Sequence, residues 1–105
     1  MVKYAKLISE NDNVVTAVAD CAAGDRVLVK FKEKEHTYQC NQDVRFGHKM
    51  AIEDIKKGGK VIKYGQPIGT ASQDIRKGDW VHVHNVRDTY KVLDQKGNPL
   101  PGQED

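Results

Sequence analysis

Apolar residues fall along this chain in short runs with a two-residue period. In Arg26-Val27-Leu28-Val29-Lys30-Phe31-Lys32, the side chains of Val27, Val29 and Phe31 share one face, and Leu28, Lys30 and Lys32 share the other. That is the signature of a strand with one face in a core. Alternation and β-branched content predict further strands over 2–8, 13–19, 36–40, 60–63, 68–71 and 80–86. Only 49–57 breaks the pattern, because Met50, Ala51, Asp54 and Ile55 fit one face of a helix, and one or two short helical turns are expected there.

The runs are punctuated by a repeated unit: Asp, a short spacer, Gly, two residues, Val. It occurs at Asp20…Gly24…Val27, Asp54…Gly58…Val61 and Asp74…Gly78…Val81. Each reads as a turn whose glycine takes a positive φ at no steric cost, with the valine opening the next strand. The irregular spacing excludes a solenoid. Short strands broken by glycine turns predict a mostly-β small domain over 1–94. Residues 95–105, with two prolines, two glycines and almost no apolar content, are expected to form a mobile tail.

Composition narrows the function classes. At 105 residues the chain holds one core, and 17 basic against 15 acidic residues give a net charge of +2, too small and too mixed for a phosphate-binding footprint, so nucleic acid is not an expected partner. No run approaches the roughly 18 apolar residues of a membrane span. The first residues carry no long apolar stretch before small cleavage residues, so a cytoplasmic location is expected. Cys21 and Cys40 form no C-x-x-C pair and are expected to be free thiols.

Candidate chemistry concentrates in three segments. In Trp80-Val81-His82-Val83-His84-Asn85-Val86, a strand period places Trp80, His82 and His84 on one face, with both imidazoles able to lean onto one metal ion or polar ligand. The plainer alternative makes one histidine a solvated strand residue and the other a filler beside Trp80. His48 and Lys49 follow Gly47 and precede the expected helical turn, where backbone N–H groups favour an anion such as a carboxylate; an exposed turn is the alternative. Lys63 and Tyr64 bring a cation and a hydroxyl to the tight turn Tyr64-Gly65-Gln66-Pro67, which also reads as purely structural. The sequence has no P-loop, dinucleotide fingerprint, nucleophile elbow or zinc-finger spacing.

Taken together, Gly47-His48-Lys49-Met50-Ala51-Ile52, Val61-Ile62-Lys63-Tyr64-Gly65 and His82-Val83-His84-Asn85 resemble the SAF domain of the altronate and galactarate dehydratase family, found also as the small subunit of sulfolactate sulfo-lyase. The resemblance runs from about Val14 to Val86 and implies a β-clip fold. It implies a lyase that eliminates water, or sulfite, from hydroxy or sugar acids, in which this chain is a small subunit that is not self-sufficient. Its motif face is then expected to cap the active site of a separate large catalytic subunit. His48, His82 and His84 become candidate acids or bases, and Lys49, Lys63, Tyr64 and Asn85 candidate substrate contacts. A divalent iron or manganese ion is expected in the complex, ligated mainly by the large subunit, with no ligand assigned to this chain. A runner-up is a stand-alone SAF module that binds a sugar acid or other anion without catalysis, since the fold alone does not decide function. Exposed strand edges keep a homo-oligomer open.

Overall fold

The computed structural model describes residues 2–87, so the expected tail over 95–105 lies outside the described residues. Nine strands follow in chain order: β1 (Val2–Lys6), β2 (Val14–Ala17), β3 (Arg26–Phe31), β4 (Lys34–Gln39), β5 (Lys49–Ala51), β6 (Lys60–Lys63), β7 (Gln66–Ala71), β8 (Trp80–Val81) and β9 (Val86–Arg87). They form a six-stranded sheet in the order β4-β3-β1-β2-β5-β8 and a three-stranded sheet in the order β6-β7-β9. β1 and β3 run parallel, and the other pairs are antiparallel. No described helix is long and apolar enough to cross a membrane.

The strand alternation of β2 explains how the sheets share one body. Val15 and Ala17 enter a core with Ala5, Val27, Val29, Cys40, Val44 and Met50. Val14, on the opposite face, enters a second core with Ala51, Ile55, Val61, Ala71, Ile75 and Val81. The central strands therefore separate two apolar clusters. Each fully buried valine contributes about 1.5–3 kcal/mol relative to exposure.

The Asp–Gly units build the corners, and they number four rather than three. The fourth is Asp43-Val44-Arg45-Phe46-Gly47, which ends on Met50 where the others have valine. All four glycines have positive φ, from 84° to 95°. The units pair reciprocally. Asp20 Oδ1 accepts the Phe46 N–H and Asp43 Oδ1 accepts the Ala23 N–H, both at 2.9 Å. In the other core, Asp74 Oδ1 accepts Lys57 N–H and Asp54 Oδ1 accepts Lys77 N–H, again at 2.9 Å. The residue after each aspartate is buried and bridges its counterpart, Cys21 with Val44 and Ile55 with Ile75. Each core is thus closed by one pair of turns that cap each other.

Two sequence expectations change here. Residues 49–57 are not helical: Lys49–Ala51 is β5, paired with β2 and β8, and Asp54 opens a turn unit. The helix-like spacing arises because Met50 and Ala51 face different cores and Ile55 is the buried second residue of its turn. The expected strand over 80–86 is interrupted: β8 ends at Val81, residues 82–85 turn, and β9 begins at Val86. Cys21 and Cys40 are free and buried, and burial pushes the Cys40 thiol up to about 12, so it stays protonated.

Candidate functional site

The turn at Phe46-Gly47 and the turn after Val81 meet. β5 and β8 pair antiparallel, with Met50 opposite Trp80 and Lys49 opposite Val81, which sets His48 beside residues 80–84. The result is a group of four aromatic rings. The His48 and His82 rings stack with centroids 4.6 Å apart, the Trp80 ring lies near-parallel to His82 at 5.5 Å and edge-to-edge with His48 at 5.8 Å, and His84 is tilted against Trp80 at 4.5 Å. The indole Nε1–H of Trp80 donates to His48 Nδ1 at 3.1 Å. The histidines expected to face one way by strand alternation do converge, but a turn brings them together.

Asn85 makes that turn. Its Oδ1 accepts the His82 N–H at 3.0 Å, and its Nδ2 donates to the Trp80 carbonyl at 2.8 Å. The side chain is only 3% exposed. Asn85, a candidate substrate contact from the family resemblance, is buried here and braces the backbone of Trp80 and His82 relative to each other.

His48 owes its place to the turn repeat, and it departs from the repeat's chemistry. Two of the four units have aspartate directly after the glycine, and each caps its own turn: Asp25 Oδ2 accepts Ala22 N–H and Asp79 Oδ2 accepts Arg76 N–H, both at 2.9 Å. In the Asp43 unit that position is His48. Its backbone closes the same turn, with N–H to the Arg45 carbonyl at 2.9 Å. Its side chain is thereby released from capping and turned to Trp80.

Two recesses flank His82. One, of about 430 Å³, is lined by Asp43, Arg45, His48, Trp80 and His82. The other, of about 210 Å³, is lined by Lys49, Ile68, His82, Val83 and Val86. Burial, then the charges of His48, Lys49 and His84, lower the His82 pKa, so its imidazole is held neutral at physiological pH. Burial lowers the Lys49 pKa as well, with the Lys63 charge adding to it.

Lys63 and Tyr64 sit at the tip of the β6–β7 hairpin, and neither lines the two recesses. Tyr64 and Gly65 both have positive φ, 60° and 71°, as a type I′ turn requires. A tyrosine is strained in that region. Asp12 compensates: its carboxylate, 5% exposed, accepts Ser9 N–H at 3.1 Å, Tyr64 N–H at 3.0 Å and Gly65 N–H at 2.7 Å. The Lys63 ammonium lies 4.9 Å from the Tyr64 ring centroid. Sequence reading overlooked Asp12, since nothing local marks a residue 52 positions from its partner. It also overlooked Arg45 and Asp43, although the Asp–Gly spacing of the fourth turn unit was a usable signal.

Among the described residues, no three His, Cys, Asp or Glu side chains are grouped as metal ligands. The described residues therefore do not by themselves supply the divalent-metal site that the resemblance implies.

Comparison with known proteins fits this picture. Residues 3–89 match the family model described as the altronate/galactarate dehydratase SAF domain. The chain is 50% identical over 84 residues to altronate dehydratase of Escherichia coli (strain K12), covering 80% of this chain and 16% of that protein. It is 39% identical over 84 residues to altronate dehydratase of Bacillus subtilis, covering 76% of this chain and 15% of that protein. It is also 36% identical over 75 residues to the (2R)-sulfolactate sulfo-lyase subunit alpha of Chromohalobacter salexigens, covering 70% of this chain and 80% of the subunit. The chain thus spans about a sixth of the dehydratases and most of the lyase subunit. With its turn-built β architecture and histidine face, it belongs to the SAF domain family of altronate and galactarate dehydratases.

Proposed function

We propose that this chain is the SAF subunit of a carbon–oxygen hydro-lyase acting on a sugar acid of the altronate or galactarate type. Its histidine face covers the active site of a separate, larger catalytic polypeptide. The observation that carries the reading is the convergence of His48, His82 and His84 around Trp80, because the fold has no need of three imidazoles there. Repeat logic would put a turn-capping aspartate or a glycine at position 48. Val83, 82% exposed, and Phe46, 68% exposed, flank the cluster and suit a face that a partner covers. The separate-subunit form draws support from the sulfo-lyase subunit alpha, 80% of which the chain spans.

Elimination next to a carboxylate needs a base for the α-proton, cationic or hydrogen-bonding groups for the developing enediolate, and an acid for the leaving hydroxyl. His82, held neutral, keeps a lone pair to accept a proton. Lys49 and Lys63 are assigned to the substrate carboxylate, and His84 to proton transfer or hydroxyl binding. Tyr64, fixed at the hairpin tip beside Lys63, is assigned to the substrate's polar rim. The divalent iron or manganese ion that the family resemblance implies is assigned to the larger polypeptide. Sulfite elimination is the second reading, favoured by the same sulfo-lyase subunit; the higher identity to altronate dehydratase places it second.

The test is co-expression of the full chain with the larger polypeptide and assay on altronate, galactarate and (2R)-sulfolactate. The 2-oxo product and free sulfite are both measured. Sugar-acid dehydration that requires both chains is the expected result. Sulfite release moves the assignment to the second reading, and full dehydratase activity of the larger chain alone overturns the subunit role.

A further inference from the structure

We infer that Trp80 is a positioning residue that fixes the tautomer of His48, so that His48 meets its ligand as an N–H donor through Nε2. An indole nitrogen is a donor only. At 3.1 Å from Trp80 Nε1, His48 Nδ1 must therefore present its lone pair, and the proton of the neutral ring sits on Nε2. The alternative tautomer would aim two N–H groups at each other.

Both partners are held from several sides, so the bond is built into the fold. Trp80 is anchored by its N–H to Gln42 Oε1 at 2.9 Å, by its carbonyl to Asn85 Nδ2 at 2.8 Å, and by pairing with Met50 across β5 and β8. Its ring lies near those of His82 and His84, with centroids 5.5 and 4.5 Å away. His48 is anchored by N–H to the Arg45 carbonyl and by its own carbonyl, which accepts Ala17 N–H, both at 2.9 Å. With Nδ1 engaged, Nε2 is the ring nitrogen left for a ligand. A protonated Nε2 suits an oxygen acceptor such as a carboxylate, an enolate or a departing hydroxyl, and suits neither a metal ion nor a proton to be abstracted. His48 and His82, stacked at 4.6 Å, then divide the work between a fixed donor and a neutral acceptor.

The assignment of His48 to the reaction rests on the function proposed above, whereas the tautomer does not, so the two are tested separately. The full chain, labelled with 15N, is studied at neutral pH by long-range proton–nitrogen correlation of its imidazoles. His48 is expected as a single tautomer with unprotonated Nδ1 and protonated Nε2, and the Trp80 indole proton is expected downfield and protected from solvent exchange. In His48→Ala the indole proton returns to the free-indole position, and in Trp80→Phe the His48 ring samples both tautomers. A proton on His48 Nδ1, or an indole proton unmoved by His48→Ala, overturns the inference; the wild-type spectrum decides even where a variant fails to fold. In the assembled enzyme, Trp80→Phe is expected to lower kcat about tenfold or more with little change in KM. A changed tautomer with unchanged kcat removes the positioning role. A wild-type assembly with no lyase activity removes the function above and leaves the tautomer result standing.

Discussion

Replacing Asn85 by alanine removes both side-chain bonds that hold the 80–85 turn, leaving the Trp80 carbonyl and the His82 N–H without those partners. At about 0.5–1.5 kcal/mol net for each bond, the loss is about 1–3 kcal/mol. For a domain of this size each kcal/mol lowers the melting temperature by roughly 4–8 °C. Urea unfolding of the full chain followed by fluorescence measures it directly, because Trp80 is the chain's one tryptophan and reports the site itself. Asn85→Asp sharpens the test. It retains an acceptor for the His82 N–H but sets a carboxylate oxygen against the Trp80 carbonyl, so near neutral pH it costs at least as much as alanine. Its deficit relative to the wild type shrinks as the pH falls and the carboxyl gains a proton to donate. Asn85→Ala within about 0.5 kcal/mol of the wild type, with an unchanged Trp80 emission spectrum, refutes the brace and returns Asn85 to the substrate-facing role its sequence suggested.

Further outcomes follow from the same geometry. Because the folded-state pKa of His82 lies below its unfolded value near 6.5, the unfolded chain binds more protons over that interval. Its stabilising contribution is present above about pH 6.5 and is lost as the pH falls through the lowered folded pKa; urea midpoints between pH 7.5 and 5 should therefore drop less steeply in His82→Gln than in the wild type. Gly78→Ala places a Cβ against the Gln39 carbonyl at a φ of 95°, whereas Gly24, at 92°, has open space around it. Thermal unfolding should show a loss of about 2–5 kcal/mol for the first and about 1–2 for the second, and equal losses would count against the close approach. Asp12→Ala frees three backbone donors and should cost about 2–4 kcal/mol. Its amide spectrum should show Tyr64 and Gly65 displaced, while the Trp80 indole proton stays in place.

The sequence disclosed the strands whose two faces differ, such as β3, because burial on one side alone writes a period of two. It misread β5, where Lys49, Met50 and Ala51 are too few to show a period and Asp54 and Ile55 belong to a turn. Three of the four turn units were visible, and the fourth was concealed by Met50, which fills the valine's place in the core equally well. His82, His84 and Trp80 were identified as a group by an alternation that stops at Val81; their convergence instead depends on Asn85, a hydrogen-bonding effect with no hydropathy signal. His48 joined them only through the pairing of β5 with β8, a contact across 30 residues that local pattern does not encode. A turn at Tyr64-Gly65 was correctly seen, although Gln66 and Pro67, expected within it, already belong to β7, and the Asp12 carboxylate that holds the left-handed tyrosine was out of reach for the same reason.

The central claim is that the histidine face of this domain works on substrate within a larger lyase. Its most direct test is steady-state turnover of the assembled enzyme carrying His48→Ala or His84→Ala, with circular dichroism and complex formation checked in parallel. The account predicts that each variant folds, assembles and loses about tenfold or more in turnover. Near-normal turnover in both variants would contradict it and leave the domain a structural partner.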